Sequence, residues 1–392
     1  MVKRAQATTV SPTNETNPVN DVQLNQKRAK NEAKEPLFHI SRRKSMVWWK
    51  AWIIRGIAIV LAMITCAVLI VLLTGFNPIE VYKYMFEGNF RTERKVWTML
   101  MDLAMLLSIS LAVTPAFKMR FWNLGAQGQV LVGALAAVAC THYFGPKFST
   151  PVLLFLMLAA SIVAGMLWAF IPAFFKAHWN TNETLFTLMM NYIAIQLITF
   201  TIASWVKTGS GTLWPSQYGR LPKVFDQQYF IPVAVALVLT IVVYIYLKYT
   251  KHGYEIAVVG GSENTARYVG INVKQVIIRT LLFSGALCGL AGFLLVSGKD
   301  FTVSKTTEHG MGFTAIMVSW LAKFNPIFMM FTSFLIVFLQ HGASEIATAT
   351  NHKVDENLSD VLTGIILFFI IGCEFFIQYK INRCGKSEEA KK

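Results

Sequence analysis

From Ala51 to Thr74 the chain runs for 24 residues with Arg55 as its only charge. Such a run exceeds the roughly 20 residues a helix needs to cross the hydrocarbon core of a bilayer. Comparable runs recur along the chain, near 96–114, 121–142, 151–175, 183–204, 229–248, 277–297, 312–323, 326–341 and 359–379. Because lipid offers no partner for backbone polar groups, repeated spans of this kind leave few choices but a helical bundle. The expected fold is therefore an all-α polytopic membrane protein of about ten transmembrane helices, the eighth and ninth short and separated by "KFNP".

Composition supports this and removes alternatives. Of 392 residues 54% are hydrophobic and 15% charged, a balance foreign to a soluble domain of this length. The net charge of +15 could suggest nucleic acid, but the basic residues sit mostly at the ends of apolar runs rather than along one face. No nucleic-acid partner is expected. The five cysteines lack metal-ligand spacing, and four fall inside apolar runs where Cys behaves as a small hydrophobe. Neither a metal site nor a disulfide framework is read.

Residues 1–45 hold few large apolar groups and are expected to be a disordered cytoplasmic tail. The membrane domain is expected to occupy 46–380, and 381–392 to form a second cytoplasmic tail. The first apolar run begins too late and is too long for a cleaved signal peptide, so it reads as a retained anchor. Arg42, Arg43, Lys44 and Lys50 precede it, with Trp48, Trp49 and Trp52 suited to the headgroup layer. With ten spans this puts both termini in the cytoplasm. Lys118, Arg120, Lys176, Lys248, Lys251, Arg267 and Lys274 then fall on the same side. Two external segments, 77–95 and 205–228, are long enough to receive a partner or a solute, and serve equally well as ordinary loops.

Soluble-enzyme motifs are missing. "GFLLVSGKD" (292–300) has five residues between Gly292 and Gly298 where a phosphate loop has four, and Asp300 where Ser or Thr would bind magnesium. The chain is expected to bind no ATP and to have no catalytic residue. What remains is polar groups within membrane helices. In "FWNLGAQGQVLVGAL" (121–135), Asn123, Gln127 and Gln129 must pair with other helices or face water, and Gly125 and Gly128 let backbones approach closely. Helix glue and the wall of a solute path are both consistent with that pattern. Asp102 lies inside the second span, where an acid points to function by default. A proton relay would want further acids at that depth, and Glu183 and Glu374 stand near span ends instead. "SGALCGLAG" (284–292) carries Gly285 and Gly289 as a GxxxG pair and is expected to pack against another helix.

The loop at about 249–276 carries a different signal. Ser262 can cap a short helix, Glu263 suits its positive end, Ala266, Arg267 and Tyr268 continue it, and Gly270 can end it in the left-handed conformation. An exposed helix between two spans could dock into another protein and pass motion to both spans; an unpartnered surface helix has the same spacing.

Four stretches in order carry a resemblance: "FWNLGAQGQVLVGAL", "NETLFTLMMNYIAI" (182–195), "GYEIAVVGGSENTARYVGINV" (253–273) and "GMGFTAIMVSWLAKFNP" (310–326). At these residues the chain resembles the permease subunits of ABC importers of the ribose, simple-sugar and branched-chain amino-acid type, most closely the nucleoside branch. The resemblance covers about 96–341. It implies a subunit of an ATP-driven importer in the bacterial cell membrane that carries nucleosides, or simple sugars, inward. ATP and magnesium would bind a separate cytosolic ABC ATPase. Ser262, Glu263, Ala266, Arg267, Tyr268, Gly270 and Ile271 would form the coupling helix that meets it. A second, non-identical permease and an extracytoplasmic substrate-binding lipoprotein would complete the machine. Asn123, Gly125, Gln127, Gly128, Gln129, Asn182, Glu183, Asn191 and Tyr192 would belong to signatures near the path of the small polar solute, with Asp102 beside them. The chain departs from the pattern at Gln127, where the family usually has Glu, and at Ala257, where Arg is common.

Overall fold

The computed structural model describes residues 38–42, 47–74, 77–206, 213–349 and 356–383. In chain order these form β1 (Phe38–Arg42), α1 (Trp48–Thr74), α2 (Pro78–Phe90), α3 (Glu93–Lys118), α4 (Ala126–Phe144), α5 (Thr150–Trp179), α6 (Glu183–Trp205), α7 (Phe230–Tyr249), α8 (Lys251–Gly261), α9 (Glu263–Tyr268), α10 (Val273–Leu295), a π-helical turn (Val296–Asp300), α11 (Met311–Leu321), α12 (Pro326–Ala349), α13 (Glu356–Gln378) and β2 (Tyr379–Arg383). The expected all-α membrane architecture is the observed one.

Among the described residues six stretches are long and apolar enough to cross a bilayer: Ile53–Leu72, Glu93–Lys118, Thr150–Trp179, Glu183–Trp205, Phe230–Tyr249 and Val273–Asp300. Met311–Leu321, Pro326–Gly342 and Gly364–Ile377 are shorter apolar helices. Helix α4 has 19 residues, and the two glutamines of its first turn dilute its hydropathy. The eighth and ninth expected spans are short as apolar segments, as anticipated. Beyond the ninth, α12 continues through the polar "QHGASE" to Ala349, 24 residues in all. Its polar end is partnered by α3, where Asp102 takes His341 and Lys95 takes Glu345.

Contacts divide the chain into two units, residues 1–60 with 370–392, and residues 61–369. In the first, β1 and β2 pair antiparallel from Phe38 opposite Arg383 to Arg42 opposite Tyr379, and Ala58, Cys373 and Ile377 bury a small apolar cluster. Strand β1 lies within the stretch expected as a disordered tail, and β2 crosses the expected start of the C-terminal tail; alternating apolar residues in "FHISR" and "YKINR" suit a ribbon. The remainder of both tails falls outside the described residues.

The second unit is built around α3 and α10. Every residue of α3 from Leu103 to Phe117 is buried, as befits a helix apolar on all sides. Helix α10 lies against both α4 and α5 at backbone contact. A Cβ added at Gly289 would meet the Ser161 carbonyl oxygen at 2.1 Å, and one at Gly133 would stand 2.7 Å from the Gly289 Cα. The GxxxG face of α10 thus packs as expected. By contrast α1 leaves Ile53, Val60, Ile64 and Leu72 open, a surface suited to lipid.

Two further sequence expectations change. Residues 77–95, expected as a loop, contain α2, capped by Asn77, whose side chain accepts from the Ile79 N–H at 3.1 Å. The loop at 249–276 holds two helices rather than one.

Candidate functional site: an amide-lined turn and an Asp–Lys–His cluster

The third apolar run does not begin as helix at Phe121. Helix α3 ends with Arg120 in the left-handed region (φ 61°) and the Phe121 N–H returning to the Ala116 carbonyl at 3.0 Å. Residues 121–125 then form an irregular turn leading into α4, so unpaired backbone groups are buried and require side-chain partners. The amides supply them. The Gly125 N–H donates to Asn123 Oδ1 (3.0 Å), which also accepts from Gln129 Nε2 (3.4 Å), while Asn123 Nδ2 reaches Ser284 Oγ on α10 (3.4 Å).

Helix α6 closes the other side. Asn191 accepts from the Gly128 N–H (2.8 Å) and donates to the Leu124 carbonyl (2.7 Å), while Thr187 Oγ1 accepts from the Leu124 N–H (3.1 Å). One side chain, Asn191, thereby binds the turn as a second strand of backbone would. Gly128 is required for this approach, because a Cβ there would sit 2.9 Å from Asn191 Oδ1.

Gln127 points to Glu308, donating through Nε2 to Oε1 at 2.8 Å; the other carboxylate oxygen accepts from the Gly312 N–H at 2.9 Å. Glu308 is only 2% exposed, and among the described residues no cation stands in ion-pair contact with it. Gly312 rests on the Gln127 backbone, where a Cβ would meet N at 3.0 Å. Beside the turn, Gln129 Oε1 and the Trp168 indole N–H are buried with no partner in the described residues. The site has spare hydrogen-bonding capacity for a polar solute or water.

Asp102 belongs to a second cluster. It pairs with Lys299 of the π-helical turn and with His341 Nε2 of α12 (2.7 Å). The three side chains are 14%, 19% and 25% exposed, so the acid is largely withdrawn from solvent and compensated. "VSGKD" is thus a π-helical turn whose lysine is engaged by a carboxylate.

The other expected positions separate into roles. Asn182 caps α6, accepting from the Leu185 N–H (3.1 Å), and Glu183 pairs with Lys176 at 2.7 Å, fastening the end of α5 to the start of α6. Tyr192 is 58% exposed and takes no part in the cluster. The side chain of Glu374 lies outside the described set. Sequence reading missed Glu308, Ser284, Lys299 and His341. Glu308 stands two residues before the fourth resemblance stretch, and an acid beside an apolar helix was the available signal.

On the loop side, Ser262 Oγ accepts from the Thr265 N–H (3.3 Å) and starts α9, Gly270 takes φ 84°, and Tyr268 is 92% exposed. Glu263 and Arg267 pair one turn apart at 3.7 Å. Ala266 alone is buried on this helix, and the Ile271 N–H returns to its carbonyl at 2.9 Å.

The architecture is that of a multi-pass membrane protein. Residues 96–371 match the family described as branched-chain amino acid transport system, permease component, and the chain belongs to that family. It is similar to the guanosine ABC transporter permease protein NupP of Bacillus subtilis, 29% identical over 84% of this chain and 95% of that one. It is also similar to the nucleoside ABC transporter permease protein NupB of Lactococcus lactis (28%; 86% of this chain, 95% of that one). The glucose ABC transporter permease protein TsgB13 of Haloferax volcanii is 27% identical over 85% of this chain and 91% of its own. The protein is an ABC permease subunit of the cell membrane, and membership of this family implies an ATP-hydrolysing subunit and a substrate-binding protein as partners.

Proposed function

We propose that this permease carries nucleosides inward, driven by ATP and magnesium bound on a separate cytosolic subunit. The carrying observation is α9: a capped, six-residue helix held between two spans, whose Tyr268 is almost wholly exposed while Ala266 anchors it. Arg267 and Tyr268 would face the ATPase. The N- and C-termini and α9 would then share the cytoplasmic side, and the opposite side would receive solute from an extracytoplasmic lipoprotein. A second, non-identical permease would complete the path.

The solute path would pass the Asn123–Gln129 turn. Its partners are amides and hydroxyls, groups that exchange hydrogen bonds with sugar hydroxyls or nucleobase edges at little cost, because donor and acceptor are both present on each amide. The guanosine and nucleoside relatives favour nucleosides; the glucose relative, matched over a similar share of the chain, keeps simple sugars as the second reading. Ion-coupled transport is less favoured, since Asp102 is already held by Lys299 and His341.

The test is uptake into proteoliposomes holding the assembled importer and its binding protein, with labelled guanosine and glucose as probes. Uptake of guanosine that needs ATP on the α9 side and survives collapse of ion gradients supports the reading. Glucose uptake without guanosine uptake would move the substrate to the second reading, and uptake abolished by gradient collapse with ATP preserved would contradict ATP drive.

A further inference from the structure

Helix α8 lies on the ends of two spans through glycines. A Cβ at Gly253 would fall 2.4 Å from the Tyr246 carbonyl oxygen at the end of α7, and one at Gly260 would fall 2.2 Å from the Lys118 carbonyl oxygen and 3.2 Å from the Met119 Cα at the end of α3. Seven residues apart, the two glycines stand on one face, about 10.5 Å along the helix. Ile256 and Val259 are buried on that side. A Cβ at Gly261, the next residue, would find nothing within 4 Å. At the near end, the Tyr246 hydroxyl is hydrogen-bonded to His252 Nδ1 and the Tyr246 ring stacks on Phe283 of α10 at 4.2 Å.

We infer that Gly260 is the positioning residue through which the exposed α9 arm moves the amide turn, an assignment that rests on the ATP-driven reading above. Ser262 joins α8 to α9 directly, ending one helix and capping the next. At the Gly260 seat, backbone meets backbone, so no side-chain torsion lies between α8 and α3 to absorb a displacement. Packed contacts of this kind transmit small shifts because they do not deform continuously. Asn123 stands five residues beyond Lys118, in the turn that α3 feeds. A methyl at position 260 would have to part the two backbones by about 1 Å to restore an ordinary C···O separation. The same methyl at position 261 would meet only open space.

The experiment compares Gly260→Ala with Gly261→Ala in the full reconstituted importer, measuring ATP hydrolysis and guanosine uptake together. The expected result is hydrolysis within about twofold of the unmodified complex for both variants. Uptake per ATP should fall about tenfold or more for Gly260→Ala alone, since the parted seat no longer passes the displacement of α8 on to α3. Unchanged coupling in Gly260→Ala, or equal loss in Gly261→Ala, would overturn the assignment. If Gly260→Ala does not accumulate, amide hydrogen exchange on the unmodified complex decides instead: trapping with ATP and orthovanadate should change protection at 119–125 together with 255–260, and a change in α8 alone would overturn it. An unmodified complex whose uptake ignores ATP would overturn the proposed function and the joint with it, whereas a fully coupled Gly260→Ala complex would remove the joint alone.

Discussion

Two buried polar clusters of this protein, around Asp102 and around Asn123, are built on opposite principles. Around Asp102, a carboxylate meets the Lys299 ammonium, with the His341 imidazole hydrogen-bonded beside it, and joins α3, the π-helical turn and α12. Around Asn123, neutral amides and hydroxyls bind an irregular stretch of backbone, and Glu308, the one acid, accepts from an amide and a backbone N–H. An ion cluster in low dielectric resists rearrangement because any separation exposes uncompensated charge. Amide contacts can be exchanged one for another. The first arrangement suits a fixed pin, the second a surface that solute and helices can move across.

That contrast predicts different failures. Asp102→Ala leaves Lys299 partly buried without its counter-charge and is expected to lower stability by about 3–5 kcal/mol, read as early thermal unfolding of purified protein. The molecules that do fold should transport normally. A normal melting profile with abolished uptake would reverse the roles assigned to the two clusters.

Gln127→Glu sets a second carboxyl against Glu308, and Gln127→Ala removes its donor. Hydrogen bonds to charged groups contribute about 1.5–3 kcal/mol, so uptake should fall roughly 10- to 100-fold in both, with a melting temperature moved far less than by Asp102→Ala. Equal thermal loss in the two clusters would erase the distinction between pin and path.

Ser262→Ala removes the cap that starts α9 and should cost about 1 kcal/mol of local helix stability, seen as about fivefold weaker ATPase capture with unchanged solute specificity. His252 gives the smallest and most local effect. Burial chiefly, with Arg279 adding to it and Glu255 opposing, holds its imidazole below the ordinary value. The unfolded chain therefore takes up the proton first as pH falls below about 6.5. Stability contributed by neutral His252 is present above that pH and is lost as pH falls toward the depressed folded value. The decline should be absent from His252→Gln, and melting curves of the two proteins between pH 7.5 and 5 check it.

Much of the fold was legible because bilayer spans advertise themselves by length. The α9 cap was legible too, since Ser262 and Gly270 act on backbone within a few residues of themselves. Helix α8 was not: Gly253, Gly260 and Gly261 weaken helix propensity, and only contact with the ends of α3 and α7 explains why glycine is wanted at two of them. At the candidate site, the amides of 123–129 stood out by their setting, yet their partners did not. Asn123 meets Ser284 and Gln127 meets Glu308 across more than a hundred residues of sequence, and no local spacing encodes such pairs. Tyr192 illustrates the converse, since membership in a signature stretch did not turn it toward the cluster.

The proposed contact through which a separate ATPase drives this permease is α9. The most direct measurement is purification from native membranes through a C-terminal tag in mild detergent, with co-purifying proteins identified by mass, for the unmodified chain and for the joint Arg267→Ala, Tyr268→Ala variant. The account predicts that a P-loop ATPase and a second permease accompany the unmodified chain, and that the variant keeps the permease and loses the ATPase. An ATPase retained at full yield by the variant, or absent from the unmodified chain under conditions that preserve such complexes, would contradict it.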